Sequence, residues 1–310
     1  YKGAPINKLS ETVDDSADHY KYRMKTTDML RPFVDRLRDN KFLGGDKISF
    51  SDCHFCQQLG NGRQLIEYLK KIDLNILNDV KKEDFLKKLN PVYETVKETK
   101  KKLSISNKDT IGFVGAPWTL LLYMLNRKSP KEGNFTVFPK DKYIKNILTK
   151  LDEFLKIHIE AQIKSGASII QIFDSWAGLL PEKDLEYFVY KPTKSLVDFI
   201  RQKKTISICF PRNINSYKKF VDNVNPDIIS IDYNVDPLLI RDTIDIPIQG
   251  GLDPKILLQN KEIVRNEVTK YLKTFDKKRY IFNLGHGVLP ETNPDMVRYL
   301  VDEVRSFNGQ

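Results

Sequence analysis

From residue 140 onward, short apolar runs rich in Ile and Phe alternate with longer segments in which apolar residues recur at intervals of three and four. The first pattern predicts buried strands and the second amphipathic helices. Strands are expected at 168–174 (SIIQIFD), 205–210 (TISICF), 227–233 (DIISIDY), 246–251 (IPIQGG) and 280–284 (YIFNL). In YIKNILTKLDEFLKIHIEAQI, Ile144, Ile147, Leu148, Leu151 and Leu155 share one helix face. Upstream, 47–51 (KISFS) and 110–116 (TIGFVGA) fit the strand description, and each is followed by helical sequence. Near-continuous apolar strands separated by helices imply a parallel sheet with right-handed crossovers, and closing such a sheet takes eight strands. The expected fold is therefore α/β: a single (β/α)8 TIM-type barrel domain over residues 1–310. Its first strand is expected before Tyr1, because residues 1–20 read as a polar loop.

Composition narrows the function without naming it. The chain has 310 residues, 40% of them hydrophobic, enough to bury a full core. No apolar run approaches the roughly 18 residues that span a bilayer, so no membrane partner is expected. Lys and Arg outnumber Asp and Glu by 51 to 41, a formal charge of +10 that favours anionic ligands. The lysines are interleaved with acids, as in KKEDFLKK, which reads as solvated helix faces rather than a nucleic-acid groove. Three cysteines, an odd number, suit a reducing compartment better than a disulfide framework. A chain that starts at Tyr1 leaves any targeting peptide outside the sequence, so both the cytoplasm and a plastid stay open.

In a barrel of this kind, chemistry gathers where strands end. The residues there are Asp52, the GAPW run at 115–118, Ser175, Arg212, Tyr233, the QGG run at 249–251 and His286. Any one polar residue after a strand is more often a turn former or a helix cap than a catalyst; the convergence of seven strand ends carries the functional reading. The set offers a carboxylate, an arginine, hydroxyls and a histidine, and lacks GxGxxG or GxxxxGK, so a nucleotide cofactor is not expected. Cys53, His54 and Cys56 form a C-x-x-C with a histidine inside it, a pattern that can bind zinc. With no second such pair, buried apolar cysteines are the plainer reading, and no metal is expected. His286 lies between Gly285 and Gly287, glycines expected to let the backbone approach closely. Trp118 and Trp176 read as core or rim packing.

GFVGAPWTLLLYML (112–125), IIQIFDSWAGLLP (169–181), IPIQGGLDP (246–254) and FNLGHGVLP (282–290) together resemble uroporphyrinogen decarboxylase in content, order and spacing. SFSD (49–52) resembles the family segment that bears an essential aspartate, although the usual proline is absent; the family's RQAGRY arginine motif is not in the chain. The resemblance implies a porphyrinogen substrate that loses four acetate carboxyls as carbon dioxide, with no cofactor, in a homodimer. It also implies a catalytic Asp52, with Tyr123, Ser175 and His286 on substrate carboxylates and Phe113 and Phe173 as apolar walls. Arg212 joins the substrate contacts from the barrel reading alone. Two rival readings remain: a zinc- or corrinoid-dependent methyltransferase on a related barrel, and a catalytically inert tetrapyrrole binder.

Overall fold

Six of the expected strands form and lie side by side in chain order, every neighbouring pair parallel. The computed structural model describes residues 80–103, 108–125, 140, 142–275 and 279–307, all within one unit that runs from residue 60 to residue 310. The expected strand at 47–51 lies outside the described residues. Helix α1 (Lys82–Leu103) precedes β1 (Ile111–Gly115), α2 (Pro117–Leu125), α3 (Lys142–Lys164) and β2 (Ile169–Asp174). After β2 the chain makes a 3-10 turn (Ala177–Leu179), then a helix that opens as α4 (Glu182–Leu185), widens into a π turn (Glu186–Tyr190) and continues as α5 (Lys191–Gln202). The βα alternation resumes with β3 (Ile206–Pro211), α6 (Tyr217–Val224), β4 (Ile228–Ile231), α7 (Pro237–Thr243) and β5 (Ile248–Gly250). A 3-10 turn (Pro254–Leu258), α8 (Lys261–Thr274), β6 (Tyr280–Ile281) and α9 (Pro294–Ser306) complete it.

The stripe read on α3 is the face it buries: Ile144, Ile147, Leu148, Leu151 and Leu155 are all in the core, joined by Phe154 and Ile159. Helix starts are fixed by short polar side chains that accept from the exposed amides of the first turn. Ser216 does this for α6, Asp236 for α7, Asn260 for α8 and Asn293 for α9.

One contact shows that the sheet curls. Gln249 Nε2 on β5 donates to Gln171 Oε1 on β2 at 3.4 Å and to Ser230 Oγ on β4 at 3.3 Å. In a flat sheet β2 and β5 would lie roughly 14 Å apart; their side chains meet because the strands wrap toward a common interior. The face bearing Gln171 and Gln249 is therefore the inside of the curve, and the opposite face, with Ile170, Ile172 and Ile229, packs under the helices.

Among the described residues, the side of β1 away from β2 is engaged at Phe113 by a side chain. Gln162 on α3 accepts from the Phe113 amide and donates to the Phe113 carbonyl, both at 3.0 Å, as a neighbouring strand would. Gly112 makes room, since a Cβ there would stand 2.7 Å from Gln162 Oε1. Gln162 is itself held by His158, whose other ring nitrogen meets the Tyr93 hydroxyl at 3.1 Å.

Candidate active site

The strands point their C-terminal ends the same way, so the loops that follow them form one mouth. Ser175 follows β2, Arg212 follows β3, Tyr233 follows β4, and His286 comes just after the Leu252–Leu284 bridge that extends the β5–β6 pairing. The structure thus brings Ser175, Arg212 and His286 to one end of the sheet. Asp52 lies outside the described residues, as do Cys53, His54 and Cys56. Among the described residues, no group of three or more His, Cys, Asp or Glu is arranged to hold a metal.

The inner face below this mouth is aromatic. Phe113 and Phe173 meet edge to face with centroids 5.9 Å apart, and Phe173 meets Phe210 in the same way at 6.1 Å. The register explains the ladder: Gly115 pairs with Phe173 and Phe173 with Phe210, so the rings project from one face of three adjacent strands. Phe210 is a third wall residue that the motifs did not single out. Phe113 is 63% exposed on this face, an unusual position for a Phe unless a large apolar ligand covers it.

Tyr123 lies on α2, four residues beyond Thr119 and thus on the same helix face. Its ring packs edge-on against Trp176 at 6.4 Å. Trp118 is fully buried, as expected, and its Nε1 donates to the Trp176 carbonyl at 2.9 Å. The same end of α2 makes a second tie, from Thr119 Oγ1 to Asp174 Oδ1 at 2.6 Å. Asp174 is the last residue of β2, points to the helix layer and is 2% exposed. Its Oδ2 has no hydrogen-bond partner. Burial raises its carboxyl to about 7, opposed by the Thr119 hydroxyl and the nearby Trp176 amide.

Arg212 is held by its backbone: its amide donates to the Asp174 carbonyl, and its carbonyl accepts from the Gly178 amide, both at 3.0 Å. The side-chain Nε is buried and has no hydrogen-bond partner, so the guanidinium has unused donor capacity. Next to it, Asn213 takes a left-handed backbone with φ 57°, and its amide donates to Asp232 Oδ2 at 2.6 Å. Asp232, wholly buried, also accepts from the Tyr217 hydroxyl and the Asn234 amide, both at 2.8 Å. Burial, then the Asp232 charge, pushes the Tyr217 phenol well up, so it stays a donor. Asp232 thus joins the loops after β3 and β4 into one platform.

Gly285 rests on that platform. A Cβ on it would stand 2.4 Å from the Tyr233 amide nitrogen, and its own amide donates to the Leu252 carbonyl at 2.7 Å. The close approach expected of this glycine is present. The same expectation for Gly287 is corrected: nothing lies within 4 Å of a Cβ placed there, because the chain has already turned outward into solvent. Gly285→Ala is therefore expected to destabilise the fold by about 1 to 3 kcal/mol, and Gly287→Ala to change it by less than about 0.5 kcal/mol. Thermal melts of the two variants check the contrast. His286 itself is exposed.

Asp174, Thr119 and Asp232 were not picked out from the sequence. The usable signal was a carboxylate at or just beyond the end of each of two apolar strands, in IFDS and SIDY. A cavity of about 460 Å³ opens at the other end of the sheet, where Arg201 and Arg279 line it with Asp227 and Asp245. That end is where strands begin, and conserved geometry there serves the fold rather than chemistry in barrels of this kind.

Comparison with known proteins identifies the family. The family model "Uroporphyrinogen decarboxylase (URO-D)" matches residues 60–307. A uroporphyrinogen decarboxylase of Rickettsia bellii is 38% identical over 257 residues, covering 79% of this chain and 73% of that protein. One from Rickettsia felis is 39% identical over 227 residues, covering 71% of this chain and 65% of its relative. A methyltransferase from Methanosarcina mazei superimposes with a TM-score of 0.58 at 18% identity, over 70% of this chain and 64% of that one. This likeness speaks for the α/β barrel architecture alone. The family match spans every described strand and the whole mouth they build, and the chain belongs to the uroporphyrinogen decarboxylase family.

Proposed function

We propose that the chain is a carboxy-lyase acting on uroporphyrinogen III, removing its four acetate carboxyls to give coproporphyrinogen III without a cofactor. The observation that carries this reading is the gathering of Ser175, Arg212 and His286 at one end of the sheet, above the Phe113–Phe173–Phe210 wall. Such a site offers donors to the acid arms of a macrocycle whose four pyrroles are joined by saturated carbons, while the aromatic face takes its apolar body. Tyr123, beside Trp176, adds a further hydroxyl.

Each loss of carbon dioxide needs a place for the electron pair of the broken C–C bond. Protonating a pyrrole ring carbon beside the acetate arm makes the heterocycle cationic, and the pair moves into the ring as carbon dioxide leaves. A proton added at the exocyclic carbon completes the methyl group, and loss of the ring proton restores the pyrrole. Asp52 is assigned to the pyrrole N–H groups, where its charge stabilises the cationic ring. The remaining named residues hold arms and exclude water.

The reading extends to a single barrel domain, to a homodimer that would shield a large ring, and to a cytoplasmic or plastid setting, of which bacterial relatives favour the cytoplasm. No described helix is long and apolar enough to cross a membrane. The test is direct: purified chain is given reduced uroporphyrinogen III, and carbon dioxide and coproporphyrinogen are measured. Binding without product would favour the inert carrier, and stoichiometric zinc with methyl transfer would favour the methyltransferase.

His286 is assigned to a substrate carboxylate rather than to the pyrrole nitrogens. Losing one charge-assisted hydrogen bond costs roughly 1.5 to 3 kcal/mol. His286→Asn is therefore expected to lower kcat/KM by about 10- to 150-fold while carbon dioxide release stays detectable. Steady-state kinetics on the same substrate measure it.

A further inference from the structure

The C-terminal end of β2 with the turn after it and helix α2 are tied at three points, although they lie about fifty residues apart in the chain. Thr119 Oγ1 reaches Asp174 Oδ1 at 2.6 Å, Trp118 Nε1 reaches the Trp176 carbonyl at 2.9 Å, and the Tyr123 ring leans edge-on against Trp176 at 6.4 Å. The two segments tied in this way carry Tyr123 and Ser175. We propose that Asp174 and Thr119 are positioning residues, whose hydrogen bond fixes the separation of the Tyr123 and Ser175 hydroxyls so that both reach carboxylate arms of one substrate. This role rests on the decarboxylase reading above.

The arrangement is costly for a purely structural tie. Asp174 and Thr119 are each 2% exposed, and one carboxyl oxygen is left without a partner, which apolar packing in the same place would avoid. What a carboxyl offers in return is direction: a short hydroxyl bond sets the rotation of α2 about its axis, which loose apolar contact does not. Since Thr119 and Tyr123 are four residues apart, a change in that rotation moves the phenol with it. The Asp174 backbone carries the constraint further, since its carbonyl accepts from Arg212, the next assigned contact around the mouth. Burial raises the Asp174 carboxyl to about 7, and a threonine hydroxyl suits either protonation state, since it can donate to the carboxylate or accept from the acid.

The test uses the full chain and a double-mutant cycle. Thr119→Val keeps the shape and removes the donor; it is expected to raise KM for uroporphyrinogen about tenfold and to change kcat less, whereas Thr119→Ser should restore the wild-type KM. Thr119→Ala makes the same comparison should the valine variant not fold. The decisive background is Tyr123→Phe with Ser175→Ala, in which a positioning residue has nothing left to position. There, adding Thr119→Val should raise KM by less than about twofold. A tenfold effect that persists in that background, or an unchanged KM in Thr119→Val alone, overturns the role while leaving the decarboxylase reading intact. A wild-type chain that binds uroporphyrinogen and releases no carbon dioxide overturns both.

Discussion

Replacing Asp52 with asparagine is expected to leave the chain folded and to cut turnover by roughly 10² to 10⁴. The amide keeps the size of the side chain and its ability to accept a hydrogen bond, and removes the charge. At ~4 Å and an effective dielectric of about 20, a carboxylate attracts a cationic ring by roughly 4 kcal/mol, worth on the order of 10³ in rate. The loss should appear in kcat, because the ring is cationic only on the way to losing carbon dioxide. Circular dichroism establishes folding and carbon dioxide release gives the rate. Near-normal turnover in a folded variant would remove Asp52 from the reaction. If His286→Asn instead abolishes release and Asp52→Asn is mild, the histidine is the proton donor.

Asp174 gives the second large effect, and it is read in stability. Its carboxyl sits at about 7 in the folded chain against 3.8 in the open chain, with burial the main cause. Between those values the folded state holds a proton that the unfolded chain has released, so this group makes stability fall as pH rises. Well below pH 3.8 both states are protonated and the effect vanishes; well above pH 7 it is complete, at about 4 kcal/mol from a shift of roughly 3 pH units. Thr119 on α2 hydrogen-bonds to Asp174, whose charge reaches Cys209 on β3. The Cys209 thiol is itself pushed up by burial and then by Asp227 and Asp174, so it adds no compensating charge. Asp174→Asn should therefore gain stability over the wild type as pH goes from 4 to 8. Denaturant melts of both proteins across that range measure the difference, and a difference independent of pH would show that Asp174 does not titrate there.

Much of the fold was legible because β2 to β5 are largely buried on both sides and stand out as unbroken apolar runs. Six of the seven expected strands form in the described region; the seventh lies outside it. The ends were less legible, because ladder pairing stops where loops begin to curl. The run at 280–284 keeps regular pairing only over Tyr280–Ile281, since the adjacent strand turns at Gly250 and Gly251, with φ of 89° and 113°, leaving a single further bridge. At the candidate site, position was legible and pairing was not. Ser175, Arg212 and His286 could be placed because strand ends converge by topology. Thr119–Asp174 and Tyr217–Asp232 could not, because a periodicity shows which face a residue occupies and not which distant side chain it meets. The role of Gln162 was hidden for the same reason, 49 residues from the backbone that it joins.

That glutamine has a consequence for the behaviour of the protein in a crowded solution. A bare strand edge presents unpaired N–H and C=O groups that can template a foreign strand, and repeated templating builds aggregates. At Phe113 both groups are already engaged by the Gln162 amide, beside a ring that is 63% exposed. The most adhesive side chain on that edge therefore stands where the backbone has nothing left to offer an intruder. Among the described residues, the aromatic face at Phe113 is thus exposed without an open backbone pair beside it to seed association between chains.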